Sequence, residues 1–158
     1  MASWSEFRAQ APELSKAVET ALGAHKHKML ATLRRDGSPR LSGIEVDISD
    51  GELWFGMMPD SLKGADLRRD PRFALHNAPI DLELSAGDAK LNGMAILDEE
   101  AVERLRARLT EAGTPPPPGP MDLFRADLTD VSLVRVDGNE LVIDSWRDGE
   151  PPQTRRRQ

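Results

Sequence analysis

Apolar residues recur along this chain in two rhythms, one helical and one strand-like, and the changes between them divide it into elements. Phe7, Leu14, Val18 and Leu22 fall near one helical face. Ser3 or Ser5 is available as the cap, Pro12 predicts a break or a fresh start, and Gly23 a stop. This N-terminal helix occupies 1–24. From Met29 the period shortens to two. Met29–Leu33 is a first strand, and Asp36-Gly37 supplies the turn into a second, Arg40–Ile48, with Leu41, Ile44, Val46 and Ile48 apolar. Its alternation slips at Ser42-Gly43, where a glycine marks a bulge or a close approach of backbone to ligand. Ser49-Asp50-Gly51 turns the chain again, into a third strand at Glu52–Met58.

A short polar helix begins near Ser61 and cannot continue past Asp70, because Pro71 follows. Arg72–Ala78 and Asp88–Leu97 are strands, separated by a less regular loop from Pro79 to Gly87. An inserted helix over 98–113 has acids first and Gly113 as its stop. Thr114 to Pro120 is extended and polyproline-like, either a stiff lid beside a pocket or a spacer. Leu128–Val136 and Glu140–Trp146 form a last hairpin around Asp137-Gly138-Asn139, and 151–158 is a disordered tail. Six or seven short antiparallel strands favour closure, since an open sheet leaves two exposed edges. The expectation is a mainly β (α+β) fold, a closed or split antiparallel β-barrel with a few peripheral helices, in one domain over 1–150. Such a barrel has little interior room, so a flat ligand would lie on its outer face or between two copies.

Composition narrows the function classes. With 158 residues, 39% apolar and 30% charged, the chain has a globular balance. Its net charge of −6 gives no general nucleic-acid footprint. It contains no cysteine, which removes disulfides, thiolate metal sites and a cysteine nucleophile. No run resembles a signal peptide or a membrane span, so the expected location is the cytoplasm.

The chemistry concentrates between Leu53 and Leu75. Ser61 and Lys63 stand at the mouth of the short helix, with Arg68, Arg69 and Arg72 behind them. A helix start presents unpaired N–H groups and partial positive charge, and a hydroxyl and an ammonium beside it make a phosphate site. The alternative is an ordinary helix capped by Asp60 or Ser61, with solvated charges. His25 and His27 flank Lys26 at a spacing that suits neither a zinc motif nor a catalytic pair, and read as surface histidines; His76 reads as a core or interface residue. Glu45 and Asp47 share one strand face, and Met57, Met58 and Met94 read as apolar filler. No acid–base pair stands out, so no catalytic residue and no metal ligand is assigned.

Two segments carry a resemblance: MLATLRRDGSPRLSGIEVDISDGELWFGM and the SLKGADLRRDPRFAL that follows it, with VRVDGNELVIDSW near the end. The chain resembles the pyridoxamine 5'-phosphate oxidase-like family of split-barrel flavoproteins, and within it the actinobacterial flavin and deazaflavin oxidoreductases. The resemblance runs from about Lys28 to Trp146.

It implies an FMN-binding split barrel and a homodimer with cofactor at the interface, acting on a small molecule. Ser61 and Lys63 match the positions that hold the cofactor phosphate. Leu41, Ser42, Gly43 and Ile44 match the segment whose backbone lies along the isoalloxazine ring, and Gly56 and Met57 the strand end beneath the ribityl chain. Trp146, with Arg147, could reach the pocket from the last strand. Vitamin-processing oxidases of the family have basic residues where this chain has Ser42 and Leu62, which argues against pyridoxamine 5'-phosphate oxidase activity itself. The implied function is an FMN-dependent oxidoreductase. Two alternatives stay open: a reductase using the deazaflavin coenzyme F-420, with Lys26, Lys28, Arg34, Arg35 and Arg40 as added cations, and a non-catalytic module that stores or senses flavin or haem. The substrate is not legible.

Overall fold

Six antiparallel strands close into a barrel because the third strand pairs at once with the second and, through its other edge, with the sixth. In the computed structural model, which describes residues 1–77 and 83–158, the strands are β1 (Lys28–Leu33), β2 (Pro39–Ser49), β3 (Glu52–Met57), β4 (Arg72–Asn77), β5 (Asp88–Leu97), β6 (Asp122–Asp137), β7 (Glu140–Arg147) and β8 (Gln153–Arg157). Their order is β3-β2-β1-β4-β5-β6-β7-β8, so β7 and β8 extend the sheet beyond the closed ring. The helices are α1 (Trp4–Gln10), α2 (Pro12–Gly23), α3 (Leu62–Arg69) and α4 (Ala101–Glu111). None of them is long and apolar enough to cross a membrane among the described residues. Ala78, expected to end the fourth strand, and residues 79–82 of the following loop lie outside the described residues.

The strand periodicity explains the core. Leu30, Phe55, Leu75, Leu91 and Phe124 alternate with more exposed neighbours and point into the barrel, and Phe55 meets Phe73 edge-on with centroids 4.9 Å apart. The β1–β2 ladder is continuous across Met29 and Gly43, so the expected irregularity is not there. It occurs instead between Asn92 and Gly93 of β5. There β6 comes so close that a Cβ on Gly93 would stand 2.0 Å from the carbonyl oxygen of Asp127.

The N-terminal helical segment is two helices. Ser3 and Glu6 form a capping box on α1, and Pro12 opens α2 at the first turn, where a missing N–H costs nothing. Trp4, Phe7 and Val18 are buried against the barrel.

Two expectations need correction. The last hairpin begins at Asp122 rather than Leu128, and the added residues Leu123, Phe124 and Arg125 supply the β3–β6 pairing that closes the ring. The tail is not disordered: Gln153–Arg157 pairs with Ser145–Leu141 of β7. Alternate residues there are polar or charged on both faces, which hides a strand from a hydrophobicity pattern. The strand forms because Thr154 donates to Asp144 (2.6 Å) and Arg156 to Glu140 (2.9 Å) and Asp137 (3.1 Å).

Candidate functional site

The outward side of β2 and β3, the mouth of α3 and one face of α4 enclose a groove of about 690 Å³. That volume lies within the range of cofactor and small-molecule sites. Ile44, Val46 and Trp54 contribute apolar lining from the strands, and Leu105, Leu109 and Pro117 an apolar roof. Gly43 leaves the β2 backbone bare, since a Cβ there would meet nothing within 4 Å.

At one end stands α3. Ser61 caps it, its hydroxyl accepting from the Gly64 N–H at 3.2 Å. The backbone N–H groups of Leu62 and Lys63 have no partner among the described residues, as expected for a first helical turn. Lys63 lines the groove, half-buried, and its ammonium makes no hydrogen bond or ion pair among the described residues. No carboxylate pairs with that ammonium among the described residues. Gly64 sits in close packing, where a Cβ would be 2.9 Å from the Ser61 hydroxyl and 3.2 Å from the Met57 sulfur.

A buried network fixes this helix to β1 and β2. The Asp66 carboxylate accepts from Arg40 Nε (2.6 Å) and Thr32 Oγ1 (2.9 Å) with one oxygen, and from Arg69 (3.0 Å) with the other. Burial alone would push this carboxyl up, but the bonds from Arg40, Arg69 and Thr32 outweigh it and hold it below the ordinary range. Arg69 also donates to the Leu33 carbonyl at 2.5 Å. Arg68, on the other side of α3, pairs with Asp122 at the start of β6. These arginines are spent on structure rather than left free for a ligand.

The far end is mixed in charge. Arg108 of α4 spans to Asp50 (2.9 Å) and Asp47 (3.3 Å) on the β2–β3 hairpin. Glu45 is met by Lys26 at 3.2 Å and by His27 at 3.6 Å. Asp98 anchors the start of α4, accepting from the N–H groups of Glu100 and Ala101 and from Arg104 at 2.7 Å. Burial raises its pKa and these donors, Arg104 foremost, bring it below the ordinary carboxylate value.

Of the residues expected at a site, Gly43, Ile44, Gly56, Met57 and Lys63 line this groove. Ser61 adjoins it as the cap of α3. Leu41 and Ser42 lie just beyond the lining, further along β2, and Leu41 is 70% exposed. Trp146 is elsewhere: it is 2% exposed, stacks on Phe7 at 4.8 Å and donates to Gln10 at 3.1 Å. Its indole is occupied by the helix packed over that face of β7, so it is a core residue in this chain. Pro117 makes the polyproline segment part of the groove wall rather than a mere spacer. His27 and Met58 also line the groove, and His76 pairs with Asp88 on another part of the sheet.

The roof was missed from sequence. Arg104, Leu105, Arg108 and Leu109 share one helical face by their spacing, a signal visible in the chain. What that face covers is a long-range fact.

Residues 14–135 match the sequence profile of the family described as pyridoxamine 5'-phosphate oxidase. No curated protein matches this sequence. Among solved structures, the chain is similar to a pyridoxamine 5'-phosphate oxidase-related, FMN binding protein from Nostoc punctiforme PCC 73102, with 14% identity, 94% of this chain and 96% of that one covered, and a TM-score of 0.64. PhzG from Burkholderia lata 383, in complex with tetrahydrophenazine-1-carboxylic acid, shares 16% identity over 98% of this chain and 93% of its own, with a TM-score of 0.61. An F-420 reductase shares 19% identity over 72% of this chain and 94% of its own, with a TM-score of 0.56. At these identities the likeness is one of fold.

Proposed function

Because the chain belongs to the pyridoxamine 5'-phosphate oxidase family, we propose that its groove holds FMN and that it is a flavin-dependent oxidoreductase acting on a small molecule. One observation carries this reading. An ammonium at Lys63 and the N–H groups of Leu62 and Lys63, all without a partner among the described residues, converge at one end of a groove whose floor is bare β-backbone at Gly43. The corner fits a phosphate, which charge-assisted bonds would hold, and the bare backbone at Gly43 and Ile44 fits a flat ring.

A bound flavin supplies the hydride chemistry, and the protein supplies position, electrostatics and exclusion of water. In this division of labour Ser61 and Lys63 hold the phosphate end, while Gly56 and Met57 leave room beneath the linking chain. Leu105, Leu109 and Pro117 keep water from the ring. No side chain is assigned a proton.

The cofactor site is completed by a second copy. Leu41, Ala31 and Ala74 stand opposite one another across β2, β1 and β4, and Met29 lies beside them opposite Gly43. Leu41 and Met29 are exposed. Small and apolar side chains in register make a flat face suited to pairing with itself about a two-fold axis.

The deazaflavin alternative draws on the likeness to an F-420 reductase. Against it, Lys28 is buried and donates to the carbonyls of His25 and Lys26, Arg40 is held by Asp66, and Lys26 by Glu45. Three of the five cations expected to serve that cofactor are already engaged.

The test is a titration of the purified protein with FMN, followed by flavin fluorescence, beside a parallel titration with F-420. Saturable quenching at one FMN per chain is expected. No quenching and no bound yellow chromophore would overturn the reading, and F-420 binding tighter by a factor of about ten, or 1.4 kcal/mol, would replace FMN with the deazaflavin.

A further inference from the structure

A second concavity, of about 270 Å³, lies between β6, β7 and β8, away from the groove. Its floor is built by the register. Ser132 stands opposite Ser145, and Ser145 opposite Gln153. Residues opposed in an antiparallel ladder share a face, so these three polar side chains form one row. Strands lie about 4.8 Å apart, which makes the row roughly 10 Å long.

Arginines flank that row from both sides. Arg147 is two residues beyond Ser145 and Arg155 two beyond Gln153, so each shares the face of the row. Because β7 and β8 run in opposite directions, Arg147 stands beyond one side of the row and Arg155 beyond the other. Neither forms an ion pair among the described residues; Arg155 makes one long bond to Gln153 (3.4 Å), and the Ser132 and Ser145 hydroxyls make none. Neighbouring arginines behave differently. Arg156, on the other face of β8, is satisfied by Asp137 and Glu140, and Arg135 by Asp144. Of the acids beside the concavity, Asp130 is already engaged by Asn92 (2.7 Å) and Thr129 (3.0 Å), and Glu150 lies exposed at the rim.

We propose that this concavity is a second binding site, specific for a small dianion held between the Arg147 and Arg155 guanidinium groups over the Ser132–Ser145–Gln153 row. Guanidinium forks match carboxylate and phosphate oxygens two bonds at a time, and the hydroxyls and the Gln153 amide donate from below. The floor is polar, so the ligand is compact and polar rather than a flat apolar ring. Two sources offer that chemistry: a phosphate monoester and a short dicarboxylate. The site does not depend on the flavin reading, since it uses none of the groove residues.

Calorimetric titration of the full chain carrying Lys63→Ala, which removes the groove cation that has no partner among the described residues, tests it. Inorganic phosphate and succinate are the probes, each at constant ionic strength with chloride as the control. Saturable one-site binding of either is expected, phosphate marking the monoester and succinate the dicarboxylate. Adding R147Q and R155Q should weaken it at least tenfold, and R147K with R155K, which keeps the charge but not the forks, should weaken it less. Both positions are exposed, so the variants are expected to fold, and FMN binding by the R147Q/R155Q chain with Lys63 intact should equal that of the parent. Binding of neither probe above the chloride control, or equal binding with and without R147Q/R155Q, would overturn the proposal.

Discussion

Arg40 of β2 donates to Asp66 of α3 across 2.6 Å, and this bond holds the helix at one end of the groove in fixed relation to the strand that lines it. Asp66 is only 3% exposed, so the pair is shielded from salt and water. Removing one partner strands the other, and Asp66→Asn should cost about 3 kcal/mol at neutral pH. The sign of the pH dependence follows from the depressed carboxyl. Its contribution is full above the unfolded pKa, near about 3.9, and fades as pH falls through the folded value. Urea denaturation of parent and variant should therefore converge as the pH falls below the ordinary carboxylate range. A gap that stays constant over that range would mean the carboxylate is not what Arg40 and Arg69 hold.

Lys63→Ala removes the one groove cation without a partner among the described residues. It should weaken FMN by roughly 1.5–3 kcal/mol, the scale of a charge-assisted hydrogen bond, with little change in stability. Fluorescence titration reads the first quantity and thermal unfolding the second. Unaltered affinity would place the phosphate elsewhere.

Trp146 should behave as a core residue. Trp146→Ala loses the stacking on Phe7 and the bond to Gln10, and should cost about 3–5 kcal/mol. Trp146→Phe keeps most of the volume. FMN affinity in that variant should match the parent, and a large loss in a folded protein would return Trp146 to the site.

The Arg108 bridge is exposed at both ends, so it contributes less than about 1 kcal/mol to global stability. Arg108→Ala should leave the midpoint of unfolding nearly unchanged and yet speed amide hydrogen exchange in α4, which this bridge ties to the β2–β3 hairpin. Equal exchange in the two proteins would show that Leu105 and Leu109 hold the roof unaided.

β8 covers the edge of β7, and Leu141 beside it is 43% exposed. Deleting residues 153–158 should leave the barrel folded, because among the described residues the strand pairs only with β7, but should expose an unpaired edge. Light scattering should then report association beyond that of the full chain. A monodisperse deletion variant would mean the edge was harmless.

Much of this architecture was readable from local signals. Asp36-Gly37 and Asp50-Gly51 supply turns, the period-two runs from Met29 to Met57 supply three strands, and Pro71 ends α3. The cap at Ser61 and the cation at Lys63 are equally local, which is why the residues at that helix mouth could be named beforehand. Asp122–Asp127 was harder: it follows the prolines and its strand character depends on the free edge of β3. Gln153–Arg157 was harder still, because its pattern carries no apolar face.

The chain alone determined the meander, the helix boundaries and the cation at a helix mouth, since turn chemistry, capping and backbone alternation act over a few residues. Folding in three dimensions decided which side chains remain available. Trp146 is consumed by Phe7, Arg40 and Arg69 by Asp66, and Arg68 by Asp122, while Lys63, Arg147 and Arg155 are left without a carboxylate among the described residues. It also set α4 over β2 and β3, turning an amphipathic helix into a roof. Such pairings join residues far apart in the chain, and a local pattern records a side chain's chemistry but not its neighbour.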